Sequence, residues 1–262
     1  MIKKILLSTV LLASGLFAET KAEYQISLVG MNMDYREYDR SGVLLDSEKS
    51  HFTDTAGAEF QYRYFLDDYS NIALNIMGIE GNTEYVGAYI NSGLGYGSVV
   101  SQTSNTIRDI AIEYNTKNMS DLGVMMLGGI GAGYRYWQRE LSSTQIEEYT
   151  WYSLRAKIGL EYQYANSITI DLIFAYQYGI DPRMQASGFS SDFKLASANI
   201  MQVSIPLRYQ INDSLDLSCA YVYEYQKIQE SDVVYDSSGT GFVEPDSRAS
   251  NQYLKVGMIF KY

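Results

Sequence analysis

Four stretches of the chain alternate strictly between apolar and polar residues. Around residue 60, Ala58, Phe60, Tyr62 and Tyr64 are separated by Glu59, Gln61 and Arg63. Further on, Tyr152, Leu154, Ala156, Ile158, Leu160, Tyr162 and Tyr164 alternate with Ser153, Arg155, Lys157, Gly159, Glu161 and Gln163. Ile170, Leu172, Phe174, Tyr176 and Tyr178 stand against Thr169, Asp171 and Gln177, and Leu217, Cys219, Tyr221, Tyr223 and Tyr225 against Ser218, Glu224 and Gln226. Successive side chains of a strand point to opposite faces, so each stretch predicts a strand with one greasy and one polar face. Followed along the chain, the pattern predicts ten strands, near 23–36, 55–66, 71–80, 106–115, 122–137, 151–164, 168–179, 199–211, 215–227 and 250–262.

Eight and twelve are the neighbouring even counts, because the first strand changes phase. Its apolar residues are even at Tyr24, Ile26 and Leu28 but odd at Val29, Met31, Met33 and Tyr35. A bulge near Leu28 would reconcile the halves. A second bulge is expected at Pro206, which cannot donate to a strand ladder. Glycine also weakens a strand, yet Gly123, Gly128, Gly129, Gly131 and Gly133 crowd the fifth. Most of these fall on the polar face, where they would leave room for bulky neighbours such as Arg155.

A soluble sandwich would alternate in the same way, but three features favour an all-β, transmembrane, antiparallel up-and-down barrel. Full charges of both signs stand at mid-strand on the polar faces. Tyrosines end the apolar faces in two groups, Tyr64, Tyr114, Tyr164 and Tyr209 at one end and Tyr136, Tyr152, Tyr178 and Tyr225 at the other, as headgroup-level girdles do. Connections alternate between short (67–70, 115–121, 165–167, 212–214) and long (38–54, 81–105, 138–150, 180–198, 229–248). No segment has the uninterrupted apolar length of a membrane helix.

The first residues read as an export signal: Lys3 and Lys4, an apolar run from Ile5 to Leu12, and a small-residue exit at Ala18. The expected organisation is a signal peptide over 1–18 and one barrel domain over 19–262. In the last strand, Leu254, Val256, Met258, Phe260 and Tyr262 alternate with Lys255, Gly257, Ile259 and Lys261. Together these features resemble the bacterial outer-membrane β-barrel class, whose members commonly end in an alternating strand with a terminal aromatic residue. The resemblance implies residence in the bacterial outer membrane with both chain ends in the periplasm. It also implies an assembly signal at Leu254, Val256, Met258, Phe260 and Tyr262 for the outer-membrane assembly machinery. Outer-membrane lipids and lipopolysaccharide are the expected surroundings.

Composition narrows the chemistry. The formal charge is -11, which speaks against nucleic acid as a partner. Cys219 is the one cysteine and His51 the one histidine, so neither a Cys/His metal cluster nor a redox pair is available, and no cofactor or metal is expected. On the polar faces, Arg63, Arg135, Arg155, Lys157, Arg208 and Lys255 balance Glu59, Asp109, Glu113, Glu161, Asp171 and Glu224. A barrel of about eight strands has an interior that side chains can fill, and one of sixteen an aqueous channel. Ten strands with matched charges therefore predict a lumen narrow or plugged by ion pairs, in which Arg155 and Lys157 meet Glu113 and Glu161 or else face water.

The acidic residues Asp46, Glu48, Asp232, Asp236, Glu244 and Asp246 match no calcium-loop spacing and read as a solvated loop surface. Tyr85, Tyr89 and Tyr96, among Gly87, Gly93, Gly95 and Gly97, form an aromatic second loop of undecided direction. Omptin proteases are also ten-stranded and pair aspartates with a His-Asp dyad, but here His51 precedes Phe52. Ser50 adjoins His51, and neighbours on an extended chain point apart. No catalytic residue is assigned. The expectation is a non-enzymatic outer-membrane barrel serving surface interaction or envelope structure through long extracellular loops, with a loop ligand unidentified. A narrow porin-like channel for small solutes or ions is the alternative, and an omptin- or lipase-like hydrolase the third.

Overall fold

The computed structural model describes residues 22–88, 95–120, 124–236 and 238–262; the expected leader, Tyr89, Gly93 and Gly123 lie outside the described residues. The strands follow as β1 (Ala22–Tyr38), β2 (Leu44–Lys49), β3 (Thr55–Phe65), β4 (Ser70–Gly87), β5 (Val99–Met119), β6 (Met125–Ser142), β7 (Gln145–Ala165), β8 (Ile168–Ala186), β9 (Phe193–Lys194), β10 (Ala198–Asn212), β11 (Leu215–Ile228), β12 (Val234–Tyr235), β13 (Gly241–Phe242) and β14 (Asp246–Lys261). Each long strand pairs antiparallel with the next, β8 with β10 and β11 with β14. The sheet closes where β14 meets β1, from Glu23↔Lys261 to Tyr38↔Asp246. Closure removes the exposed edges that an open sheet would present.

Ten strand positions make the wall, because β2 and β3 share one. β2 pairs with Asp34–Tyr38 of β1, and β3 with Ala22–Met31. The break at 50–54 is sealed from β1, where Met33 and Ser50 exchange backbone and side-chain hydrogen bonds of 3.1 Å. Short turns and both described chain ends lie at one end of the barrel, called the turn end; the other is the loop end.

Outward residues in the turn-end half form an exposed apolar belt that includes Leu28, Ile130, Leu154, Ile158, Phe174, Ile205 and Val256. Interior residues of the same half are mostly polar or charged, with Ile173 and Ile259 among the apolar exceptions. In the loop-end half the order reverses, and Val29, Met31, Met33, Tyr35, Ile79, Ile107, Trp137, Tyr149, Trp151, Ile200 and Tyr253 pack inside as one core. This reversal explains the phase change in the first strand without a bulge. Pairing of β1 with both neighbours runs through Leu28 in unbroken register. Leu28 is 74% exposed and Val29 2%, so both obey one alternation. The strand leaves the apolar belt, and its apolar residues move from the outer face to the inner one.

Pro206 makes no bulge either. Its register opposite Ala220 is continuous, and on the β8 side the ladder has Ser204↔Ile173 and Leu207↔Ile170 in the same register with no bridge between. The missing N–H interrupts pairing without shifting it. Most of the expected long loops are strand as well: β4 and β5 extend to Gly87 and from Val99, and β6 and β7 meet at Ser142 and Gln145. Strand continuation carries the wall well past the apolar belt. The glycines of β6 have a steric reason, since a Cβ at Gly133 would collide with the Arg155 guanidinium and one at Gly129 would stand 2.8 Å from Lys157 Cε.

Candidate functional site

The lumen is layered. At the turn end, Arg63 donates to Glu23 at 2.9 Å, Lys255 to Glu59 at 2.9 Å and Arg208 to Glu161 at 2.9 Å, with Asp171 3.8 Å from Arg208. These groups line a cavity of about 330 Å³, and a second of about 210 Å³ shares Glu23, Lys117, Glu161 and Arg208 with it. One layer further in, Lys157 meets Glu113 at 2.6 Å, whereas Arg155 meets Asp109 at 2.9 Å. There the free space shrinks to about 50 Å³ among Glu113, Arg155, Lys157, Gln177 and Gln202.

Above that void Arg135 and Glu224 close the centre. They are joined by hydrogen bonds of 3.2 and 3.0 Å. Glu224 also accepts from Gln202 (2.7 Å), Asn251 (3.1 Å) and Tyr253 (3.0 Å), so side chains from β6, β10 and β14 meet on one carboxylate of β11. The Trp151 ring lies 5.9 Å from the Arg135 guanidinium. Every sequence-predicted lumen residue thus has a partner of opposite charge inside the barrel; the partner of Arg63, Glu23, was not among the predicted set.

A third layer near the loop end was read as solvated loop, and the structure corrects that reading. Asp46 is 8% exposed, Glu48 0% and Glu244 6%. They gather with Glu37 and Glu147 around Arg139, a residue of an expected loop that in fact lies inward on β6, two positions beyond Trp137. The Arg139 Nη1 donates to Glu37 at 2.6 Å and Glu147 at 2.8 Å, while Nε and Nη2 hold Glu48 at 3.0 and 2.8 Å. Thr83 and Asn105 donate to the other Glu48 oxygen at 2.6 and 3.0 Å. Tyr35 donates to Glu37 at 2.6 Å, and Tyr149 to Glu244. Tyr149 stacks on Trp137 with centroids 5.0 Å apart, and the guanidinium lies 4.4 Å from the Tyr35 ring.

One guanidinium faces five carboxylates in this layer. Burial, then the neighbouring Glu37 charge, pushes Asp46 up to about 9, and burial likewise raises Glu147 and Glu244. The signal for this cluster was present in the sequence as parity: Glu37 continues the inner series Val29, Met31, Met33 and Tyr35, and Arg139 continues Arg135 and Trp137.

Other predicted residues lie apart from it. His51 is exposed in the 50–54 break between β2 and β3, beside the middle of β1, its backbone N–H donating to Asp54 at 2.9 Å. Asp232 and Asp236 are not in the buried layer. Tyr96 folds onto β2, its hydroxyl 2.8 Å from Ser47. In the last strand, Leu254, Val256, Met258 and Tyr262 are exposed on the outer face, where Tyr262 packs edge-on against Tyr24 at 5.4 Å. Backbone hydrogen bonds of 3.0 and 2.9 Å join Tyr262 to Ala22.

No protein-family model matches this sequence, and no curated protein matches it. Among solved structures, the outer-membrane protease OmpT from Escherichia coli is similar with a TM-score of 0.58 at 9% identity, over 94% of this chain and 99% of that one. The translocator domain of the autotransporter NalP from Neisseria meningitidis aligns at 10% identity over 100% and 95%, with a TM-score of 0.41. Neisserial surface protein A aligns at 10% over 93% and 100%, with a TM-score of 0.36. Of these three the first alone carries an argument, and what it carries is the fold: a closed antiparallel barrel of the outer-membrane kind.

Proposed function

We propose that this chain is an exported, non-enzymatic outer-membrane barrel that is closed to solutes and acts through its loop end, in surface interaction or envelope structure. The observation that carries the reading is the filled lumen. A charged cavity at the turn end gives way to the Arg135–Glu224 layer and then to the aromatic and acidic layer around Arg139. In this reading the leader ends at Ala18, the turn end faces the periplasm, and the β14 residues Leu254, Val256, Met258, Phe260 and Tyr262 are read by the assembly machinery. Lipid contact is supported by the apolar belt and its tyrosines. Lipopolysaccharide is supported by a row of cations beyond the belt: Arg36 lies opposite Arg248, and Arg248 opposite Lys227, on three adjacent strands. Like charges directly opposite one another are destabilising; Asp34 offsets Arg36 at 2.9 Å, and an anionic headgroup would offset Arg248 and Lys227. A loop ligand has an open cleft of about 430 Å³ available between Asp192, Lys194, Asp232 and Tyr235.

Purified barrel inserted in planar bilayers tests the reading. The expected result is no steady conductance; regular steps in the native protein would favour the narrow channel instead. A hydrolytic reading draws on the acid-rich loop end with its raised proton affinities. It is weaker because those carboxylates are covered and the one imidazole stands outside them. Turnover of peptides or phospholipids that disappears in His51→Ala would revive it.

A further inference from the structure

The loop-end cluster is short of positive charge. Glu48 takes the Nε and Nη2 edge of Arg139 and is further satisfied by Thr83 and Asn105. The one remaining guanidinium nitrogen, Nη1, reaches Glu37 and Glu147, while Asp46 comes no nearer to Arg139 than 4.0 Å and Glu244 takes its hydrogen bond from Tyr149. One carboxylate oxygen from each of Glu37, Glu147 and Glu244 lies within 4.8 Å of the other two. Two oxygens on opposite sides of a calcium-sized ion, each at about 2.3–2.6 Å, stand about that far apart. Independently, Asp46 Oδ1 is buried and has no hydrogen-bond partner. Asp46 lies directly opposite Glu37 on β2, and its other oxygen is 4.0 Å from Arg139, so the orphaned atom belongs to this layer.

We propose that Glu37, Glu147 and Glu244, with Asp46 beside them, form a buried site for a hard divalent cation of the calcium class. The donors are all oxygen, which disfavours soft or imidazole-seeking metals. The cation joins β1, β2, β7 and the segment leading into β14, adding to the Arg139 contacts, the β1–β2 ladder and the hydrogen bond from Tyr149 to Glu244. Side chains of Glu37, Asp46 and Glu147 keep 10%, 11% and 12% of their surface exposed, which gives an ion a route in from the rim.

Terbium, a luminescent stand-in for calcium, is the probe. Tyr149 touches Glu244 and stacks on Trp137, so an ion in the site lies close enough to be sensitised through these rings. Terbium added to the folded barrel in detergent should luminesce on aromatic excitation at one ion per barrel and be displaced by calcium. Glu244→Gln should weaken binding by more than about tenfold, and Asp236→Asn, on an exposed turn, should leave it unchanged. No sensitised emission from the native barrel overturns the proposal. Emission that survives Glu244→Gln but falls with Asp236→Asn also overturns it, by placing the ion on the surface. Should Glu244→Gln fail to fold, the native barrel still decides: calcium must raise its melting temperature above that in chelator, and equal melting overturns the site.

Discussion

Glu224 shows how much one residue carries when it is the meeting point of several strands. It and Arg135 are 1% and 2% exposed, and its carboxylate accepts from four side chains on three other strands. Removing one partner of such a pair leaves an unpaired buried charge, which costs about 3–5 kcal/mol. Glu224→Ala should therefore lower unfolding free energy by that amount, read from urea titrations of the barrel in lipid vesicles. Replacing both partners together, Arg135→Met with Glu224→Leu, should recover most of the loss, because apolar packing removes the desolvation penalty. Arg36, on the exposed outer face and paired with Asp34 at 2.9 Å, is the contrast. Arg36→Ala should change stability by no more than about 1 kcal/mol in the same assay. The sequence marked Arg135 and Glu224 as inward because both obey the alternation of their strands. It did not mark Arg139 or Glu147, because the strands were ended too early; strand ends with polar residues on the outer face as well look like loops.

At the scale of the element, β1 holds the transition between two kinds of barrel. Alternation located this strand over nearly its full length, but its faces were read correctly only as far as Leu28. What misled was the assumption that the apolar face stays outward throughout. Solvent changes along the strand, so the greasy face outside at Leu28 becomes the greasy face inside from Val29 to Tyr35. The same physics lengthens β4 to β8 beyond the predicted limits. It also predicts a sharp positional contrast. Leu28 and Asn32 both point outward, but Leu28 lies in the belt and Asn32 two outward positions beyond it. Leu28→Arg should cost about 2–4 kcal/mol in bilayer-folded protein, and Asn32→Arg about 0–1 kcal/mol. Equal costs would mean that the belt ends elsewhere. In β6 the glycines make space rather than flexibility, so Gly133→Val should force Arg155 away from Asp109. Overpacking of this kind costs about 1–3 kcal/mol, and the same substitution combined with Arg155→Ala should cost less.

For the whole molecule, the proposed closure to solutes rests on two layers in series. The count of ten strands and the balance of charges made a narrow interior legible in advance. The vertical order of that interior was not, because composition does not say at which height each group sits. The structure puts open space at the turn end and shrinks it through the Lys157–Glu113 layer; the Arg135–Glu224 layer follows, and the Arg139 layer lies beyond it. Two seals in series give a non-additive result. Arg135→Ala with Glu224→Ala enlarges the middle of the lumen but leaves Tyr35, Trp137 and Tyr149 packed across the loop end, so this protein should still carry no steady current. Trp137→Ala with Tyr149→Ala opens the upper layer but leaves the ion pair closed, and should likewise be silent. All four substitutions together should give discrete conductance steps in planar bilayers, provided the protein still migrates as a folded barrel before heating. Current through either pair alone would show that the remaining layer does not seal.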